Sequence, residues 1–188
     1  MTVKNIWRGQ KVILRAIESQ DWEAFHVNDE DSEAARLSDI IYPPRSTDAA
    51  QKWAEEQALK EKEGHDWMLA IESLETEQVA GTIVTYNSDQ TNGSFYYGLA
   101  IFRPYWRRGY AKEAIHLLMN YFFNELRYQK VNAHVYSFNK ASIRLHEHLG
   151  FQLEGRLRQM IYSQGSFHDE LIFGCTAQEF YEQLGQSK

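Results

Sequence analysis

The sequence predicts an α+β fold whose central sheet is mixed, mostly antiparallel, and flanked by helices. Three observations predict it. Apolar runs with strand-like spacing recur between Trp67 and Phe102 with short polar connections, as consecutive antiparallel strands require. Beyond Phe102 the period changes: Ala111, Ile115, Leu118, Met119 and Phe122 fall at helical spacing. A strand–helix–strand unit and a terminal hairpin then follow, in a chain of 188 residues that suits one domain, 1–188, with its core at about 11–180.

In order, Lys11 to Ala16 reads as a strand with Val12 and Leu14 on one face. Ser19-Gln20-Asp21 starts a helix that carries Trp22 and Phe25. A second helix follows Ser46-Thr47-Asp48 and runs toward Glu63, with Ala50, Trp53, Ala54 and Ala58 as its stripe and Gly64 as its stop. Trp67–Ile71, Val79–Tyr86 and Ser94–Phe102 are strands, the last two joined by the turn residues Asn87 to Gly93. The helix carrying Ala111 extends to about Leu126, and Lys130–Tyr136 is a strand. Ala141, Leu145 and Leu149 recur every four residues in a helix closed by Gly150. Phe151–Tyr162 and Phe167–Thr176 form a hairpin across Ser163-Gln164-Gly165-Ser166, and a short polar helix ends the chain.

Lys plus Arg number 20 and Asp plus Glu 26, a formal charge of −6, which disfavours nucleic acid as a partner because phosphate affinity comes from cationic side chains. The one cysteine, Cys175, excludes an internal disulfide, and no C-x-x-C pair offers zinc or redox chemistry. No apolar stretch reaches the ~18 residues of a membrane span, and the opening Met1-Thr2-Val3-Lys4-Asn5-Ile6-Trp7-Arg8 has no signal-peptide core. Cytoplasm is the expected compartment, with no membrane partner.

Two segments carry chemistry. Pro104-Tyr105-Trp106-Arg107-Arg108-Gly109-Tyr110-Ala111 joins an apolar strand to an amphipathic helix. Such a junction exposes backbone N–H groups that the helix leaves without partners, a site suited to phosphates. Gly109 permits close approach, Ala111 keeps the first turn small, and Arg107 and Arg108 add charge. Taken alone, the segment is more simply an ordinary solvated helix start. It is neither a Walker loop nor a dinucleotide fingerprint, since both glycine patterns are absent. The second segment runs from Asn139 to Phe151. Asn139 suits an N-cap and Gly150 a C-cap, and a capped helix accounts for it alone.

The order of these parts resembles the GNAT superfamily of acetyltransferases: strand, phosphate-binding turn, helix, strand, N-x-x-S helix, G-F strand. Arg107-x-Gly109-x-Ala111 is similar to its pyrophosphate motif, and Asn139-x-x-Ser142-x-x-Leu145 with Gly150-Phe151 to its following helix. The opening Gly9 to Ile17 and the ending Glu154-Gly155-Arg156-Leu157-Arg158 with Tyr162, Gly165 and Asp169 resemble the branch that acetylates ribosomal-protein N-termini, the RimJ/RimL-like proteins. Trp106 stands where the superfamily often has Arg or Gln, a substitution familiar in that branch, and Ala111 replaces a frequent second glycine.

The resemblance implies direct acetyl transfer from acetyl-CoA to an amine, with no metal and no covalent enzyme intermediate. It implies that acetyl-CoA lies between the strand ending at Ile101-Phe102 and the strand Lys130–Tyr136, the backbone near Ile101 and Phe102 meeting the pantetheine arm and polarising the thioester. The N–H groups of Arg108, Gly109, Tyr110 and Ala111 would hold the pyrophosphate, and Asn139 and Ser142 would line the acyl end. Many members place a tyrosine on the second helix to protonate the leaving thiolate. His146 stands at that position and is the candidate general acid, as competent near neutral pH as it is explicable by packing; Ser142 is the alternative donor. Glu30, Asp31, Asp39, His168 and Asp169 are candidates for the base, beside a water relay.

The acceptor is expected among protein N-termini, polyamines and other small amines, with residues 29–44 and the final hairpin shaping its pocket; Tyr42, Tyr96 and Tyr162 are candidates there or in packing. Oligomeric state stays open, a homodimer through Phe95-Tyr96-Tyr97 being one candidate. Two rivals stand beside this expectation. One is a non-catalytic acyl-CoA sensor on the same fold; the other is a nucleotide or phosphate binder using Arg107-Arg108-Gly109.

Overall fold

Hydrogen bonding orders the seven strands of the computed structural model as β1-β2-β3-β4-β5-β7-β6. The structure describes residues 5–38, 41–61 and 63–185. In chain order the elements are β1 (Val12–Arg15), α1 (Trp22–Asp29), α2 (Ser32–Ser38), α3 (Thr47–Leu59), β2 (Met68–Ser73), β3 (Val79–Asp89) and β4 (Ser94–Ile101). Then come α4 (Tyr110–Asn124), β5 (Lys130–Tyr136), α5 (Lys140–His148), β6 (Gln152–Ser163), β7 (Ser166–Thr176) and α6 (Ala177–Gln183). β4 and β5 pair in parallel, and the other registers shown for β1–β2, β2–β3, β5–β7 and β6–β7 are antiparallel. The α+β class with a mixed, mostly antiparallel sheet is therefore as expected.

The chain separates into two compact units, one of residues up to Val84 with Leu99–Leu118, the other of Thr85–Gly98 with Met119 onward. In the first, Ala70 of β2 and Val79 of β3 pack with Ile17, Phe25 and Phe102 in one cluster. Phe25 meets Trp53 and Phe102 edge-on, at centroid distances of 4.9 and 5.7 Å, geometry that adds to simple burial. Ser46 caps α3 by accepting from the Ala49 N–H. α3 stops at Leu59, four residues before the expected Glu63, where Lys60 takes an extended conformation; Gly64 lies in a separate turn. The apolar stripe ends at Ala58, so nothing in the following Lys-Glu-rich run gives the helix a face to bury. α2 escapes the sequence pattern altogether, being seven residues long with Ala34 as its buried residue.

Gly81 has a specific steric role in this unit. A Cβ there would lie 2.1 Å from the Ala100 carbonyl oxygen, so only glycine lets the two strands approach.

In the second unit, Phe95 of β4 stacks on Phe122 at 3.9 Å, with Tyr128 edge-on at 5.5 Å. Phe95 and Tyr97 are 0% and 2% exposed. They belong to the core, and Tyr96 stacks on Tyr86. The segment Phe95-Tyr96-Tyr97 thus presents little apolar surface for self-association. α6 is capped by a reciprocal Thr176–Glu179 box. It is less polar in its packing than its composition predicts, since Phe180 and Tyr181 are buried.

Candidate active site

The turn ahead of α4 is built around two left-handed residues, Arg107 (φ 62°) and Gly109 (φ 83°). The conformation is natural for glycine and uncommon for arginine. Residues of opposite backbone hand in succession aim neighbouring N–H groups to one side, forming an anion-binding concavity. The first turn of α4 adds N–H groups without helical acceptors, from Tyr110 and Ala111 onward. The dipole of this 15-residue helix favours negative charge at the same end.

Two contacts hold the turn in place. Lys11 Nζ donates to the Arg108 carbonyl at 3.0 Å. The Glu113 carboxylate accepts from the backbone N–H groups of Gln10, Lys11 and Val12 at 2.8, 2.7 and 2.8 Å. Gly9 makes room for this clamp, since a Cβ there would sit 2.5 Å from Glu113 Cδ.

The side chains divide the labour unevenly. Tyr110 is buried, its hydroxyl 2.8 Å from Ser73 Oγ, so it offers the site only its backbone. Arg108 pairs with Glu75 at 3.3 Å and lies over the Tyr105 ring at 5.7 Å, which partly neutralises the charge expected of it. Arg107 is exposed.

The strand residues assigned to the pantetheine arm differ from each other. Phe102 donates its N–H to the Ala80 carbonyl (2.8 Å) and accepts at its own carbonyl from the Tyr105 N–H (2.9 Å), while its ring is in the core. Its backbone is engaged within the protein at both its N–H and its carbonyl. Ile101 precedes it as the last residue of β4. Its carbonyl accepts from the Trp106 indole N–H at 2.6 Å.

In the second unit, Asn139 caps α5 by accepting from the Ser142 backbone N–H at 3.0 Å, which explains the asparagine by local structure. His146 is 5% exposed. Its Nδ1 lies 2.8 Å from the Ser142 carbonyl and 3.4 Å from Ser142 Oγ, and its Nε2 lies 2.7 Å from the Tyr97 hydroxyl. A carbonyl only accepts, so Nδ1 carries the proton and the bare Nε2 accepts from Tyr97. Phe173 stacks on the ring at 5.5 Å and Phe151 meets it edge-on at 5.1 Å. Burial lowers the His146 pKa, opposed by the Ser142 hydrogen bond. A proton that His146 moves at Nε2 therefore goes to or from Tyr97, a partner the sequence reading missed because it lies 49 residues away.

The base candidates separate as clearly. The Arg103 guanidinium holds the Asp31 carboxyl down to about 2, and the Gln159 N–H with Arg156 lowers Asp169. Both are weak bases for an ammonium acceptor. His168 meets the Phe138 ring edge-on at 4.9 Å, Glu30 is exposed, and Asp39 lies outside the described residues. Tyr42 and Tyr162 are exposed.

The chain is an acetyltransferase: it belongs to the family described as Acetyltransferase (GNAT) domain, matched over residues 11–152. It is 44% identical over 174 residues to the SPbeta prophage-derived uncharacterized N-acetyltransferase YokL of Bacillus subtilis (strain 168), covering 93% of this chain and 94% of that protein. It is 32% identical over 166 residues to the uncharacterized N-acetyltransferase YoaA of the same organism, covering 87% and 92%. Among solved structures, the spermidine N-acetyltransferase from Vibrio cholerae in complex with CoA and spermine shares the fold, with a TM-score of 0.77 at 18% identity over 92% of this chain and 99% of that one. No helix among the described residues is long and apolar enough to cross a membrane.

Proposed function

We propose that this enzyme transfers the acetyl group of acetyl-CoA directly to a primary amine. The observation that carries the reading is the Arg107–Ala111 turn, where two left-handed residues and a helix start gather N–H groups for a pyrophosphate. Acetyl-CoA supplies the activated thioester. The Gly109, Tyr110 and Ala111 N–H groups bind its diphosphate, and Arg107 is the cation most open to it. The Ile101 N–H, at the end of β4, is assigned to polarise the thioester carbonyl. The neutral amine nitrogen attacks that carbonyl carbon, the C–S bond breaks, the amine loses a proton and the CoA thiolate gains one.

Asn139, Ser142 and His146 are assigned to the acyl end, with His146 acting on the Tyr97 hydroxyl and Ser142 as the other donor. The opening segment Gly9–Ile17 favours a protein or peptide N-terminus as acceptor, by its likeness to the RimJ/RimL-like branch. The spermine in a fold neighbour makes polyamines the second class to test. We treat both units as one acetyltransferase domain, since the family match runs through each, and cytoplasm as its setting.

One observation favours a second reading, a non-catalytic acyl-CoA sensor: His146, at the position of the family's proton donor, is an interior hydrogen-bond acceptor. Thiol release from acetyl-CoA, with and without amines, separates the two. Amine-dependent release supports transfer, and tight binding without release supports the sensor.

A further inference from the structure

Trp106 and Arg103 are not accounted for by the reaction as derived, yet they form a connected set of contacts that ends on the Ile101 peptide. The Trp106 indole N–H donates to the Ile101 carbonyl at 2.6 Å. The indole is itself held from above by the Arg103 guanidinium, whose Cζ lies 4.6 Å from the ring centroid. That guanidinium is fixed in turn by a fork. Its Nε and Nη2 donate to the two Asp31 oxygens at 2.5 and 2.8 Å, and Nη2 also reaches Glu33 at 2.9 Å. Asp31 is not a loose surface carboxylate. It accepts from the Ala34 N–H at 3.0 Å and so caps the start of α2. A continuous path runs from the α2 cap through Arg103 and Trp106 to the carbonyl of Ile101.

A peptide group is planar, so fixing its oxygen fixes the direction of the N–H on the next residue, and together with the strand ladder it fixes the tilt of the flanking peptides. Phe102 is already anchored on Ala80. The Phe102 N–H and the Ile101 carbonyl belong to one planar peptide, so Ala80 and Trp106 hold its two ends, and the Ile101 N–H, in the preceding peptide, is held through the shared Ile101 Cα. We infer that Trp106 is a positioning residue for acetyl transfer, holding the Ile101 backbone in the orientation that polarises the thioester, and that Arg103 positions Trp106. The inference rests on the transferase reading. It also accounts for a tryptophan at a place where a charged or amide side chain is more frequent: only an indole presents an N–H at that reach together with a flat face for a guanidinium to cover.

The test compares Trp106→Phe, Arg103→Ala, Arg103→Lys and the Trp106→Phe/Arg103→Ala double variant with the wild-type chain. Thiol release is measured at saturating amine over a range of acetyl-CoA, with thermal unfolding as the check on folding. Trp106→Phe keeps an aromatic face under Arg103 and removes the N–H together with the pyrrole half of the indole. It is expected to lower kcat about tenfold, a misaligned donor costing less than a deleted one, with KM for acetyl-CoA within about threefold. Arg103→Ala should lower kcat in the same direction by a smaller factor. Arg103→Lys should not rescue it, because an ammonium cannot form the fork. The double variant should be no slower than Trp106→Phe, since the two residues act through one bond.

A wild-type chain that gives no amine-dependent release overturns the transferase reading and this inference with it. A wild type that turns over, with kcat of Trp106→Phe within twofold of it, or with losses that multiply in the double variant, overturns the inference alone.

Discussion

Replacing Glu113 by alanine tests whether the turn ahead of α4 is braced by the segment around the start of β1. The carboxylate accepts from three successive backbone N–H groups at 2.7 to 2.8 Å. A hydrogen bond to a charged group contributes about 1.5–3 kcal/mol. Gln10 and Lys11 are exposed, so water replaces much of what they lose, whereas Val12 is 0% exposed and its N–H has no such substitute. Counting the Val12 bond in full and discounting the other two gives about 3 kcal/mol. In a chain of this size each kcal/mol shifts the melting temperature by about 2–4 °C, so Glu113→Ala should melt about 6–12 °C lower. Glu113→Gln keeps one acceptor but turns an NH2 group toward a backbone donor, and should fall about midway. Thermal denaturation followed by circular dichroism at 222 nm reads both. A loss under 2 °C for alanine, or glutamine as destabilising as alanine, would refute the reasoning.

Further expectations follow from the same contacts. His146→Phe leaves the Tyr97 hydroxyl buried without its acceptor, at a cost of about 1–3 kcal/mol in urea unfolding. Because burial depresses the His146 pKa in the folded chain, the unfolded chain binds the proton more readily. Stability from this group is therefore complete above the ordinary histidine range and is lost as pH falls below it; the melting temperature of His146→Phe should fall less steeply toward acid than that of the wild type. Gly81→Ala forces a Cβ to within 2.1 Å of the Ala100 oxygen, and should destabilise by at least about 2 kcal/mol or prevent soluble expression. Cys175 is fully buried, and burial, with Glu179 next, pushes its thiol up to about 12. A thiol reagent should find no reactive group in the native chain and one after denaturation.

The parts legible in the sequence are those fixed by local chemistry. Asn139 and Gly150 bracket α5 because cap residues act within one turn, and Lys130–Tyr136 is a strand because its apolar positions keep one period. The turn ahead of α4 was readable for the same reason, through Gly109 and the apolar stripe of α4, although the left-handed Arg107 was not. What escaped depends on partners distant in the chain. Glu113 finds its three donors about a hundred residues away, and His146 is defined by Tyr97 and Phe173, from strands outside its own helix. Helical spacing puts His146 near Ser142 and leaves open whether the ring meets solvent or core. Asp31 reads as an accessible carboxylate in a polar loop; only its pairing with Arg103, 72 residues on, removes it as a base. α2 has too few apolar residues to show a period, and its start depends on that same aspartate.

The most direct test of the account is thiol release from acetyl-CoA by the purified chain across peptides with free N-termini, polyamines, aminoglycosides and arylalkylamines, a readout to which buried Cys175 should add nothing in the native state. The account predicts release that depends on one class of amine and saturates in acetyl-CoA, with mass spectrometry finding that amine heavier by one acetyl group. A chain that binds no acetyl-CoA and releases no thiol with any amine would contradict it.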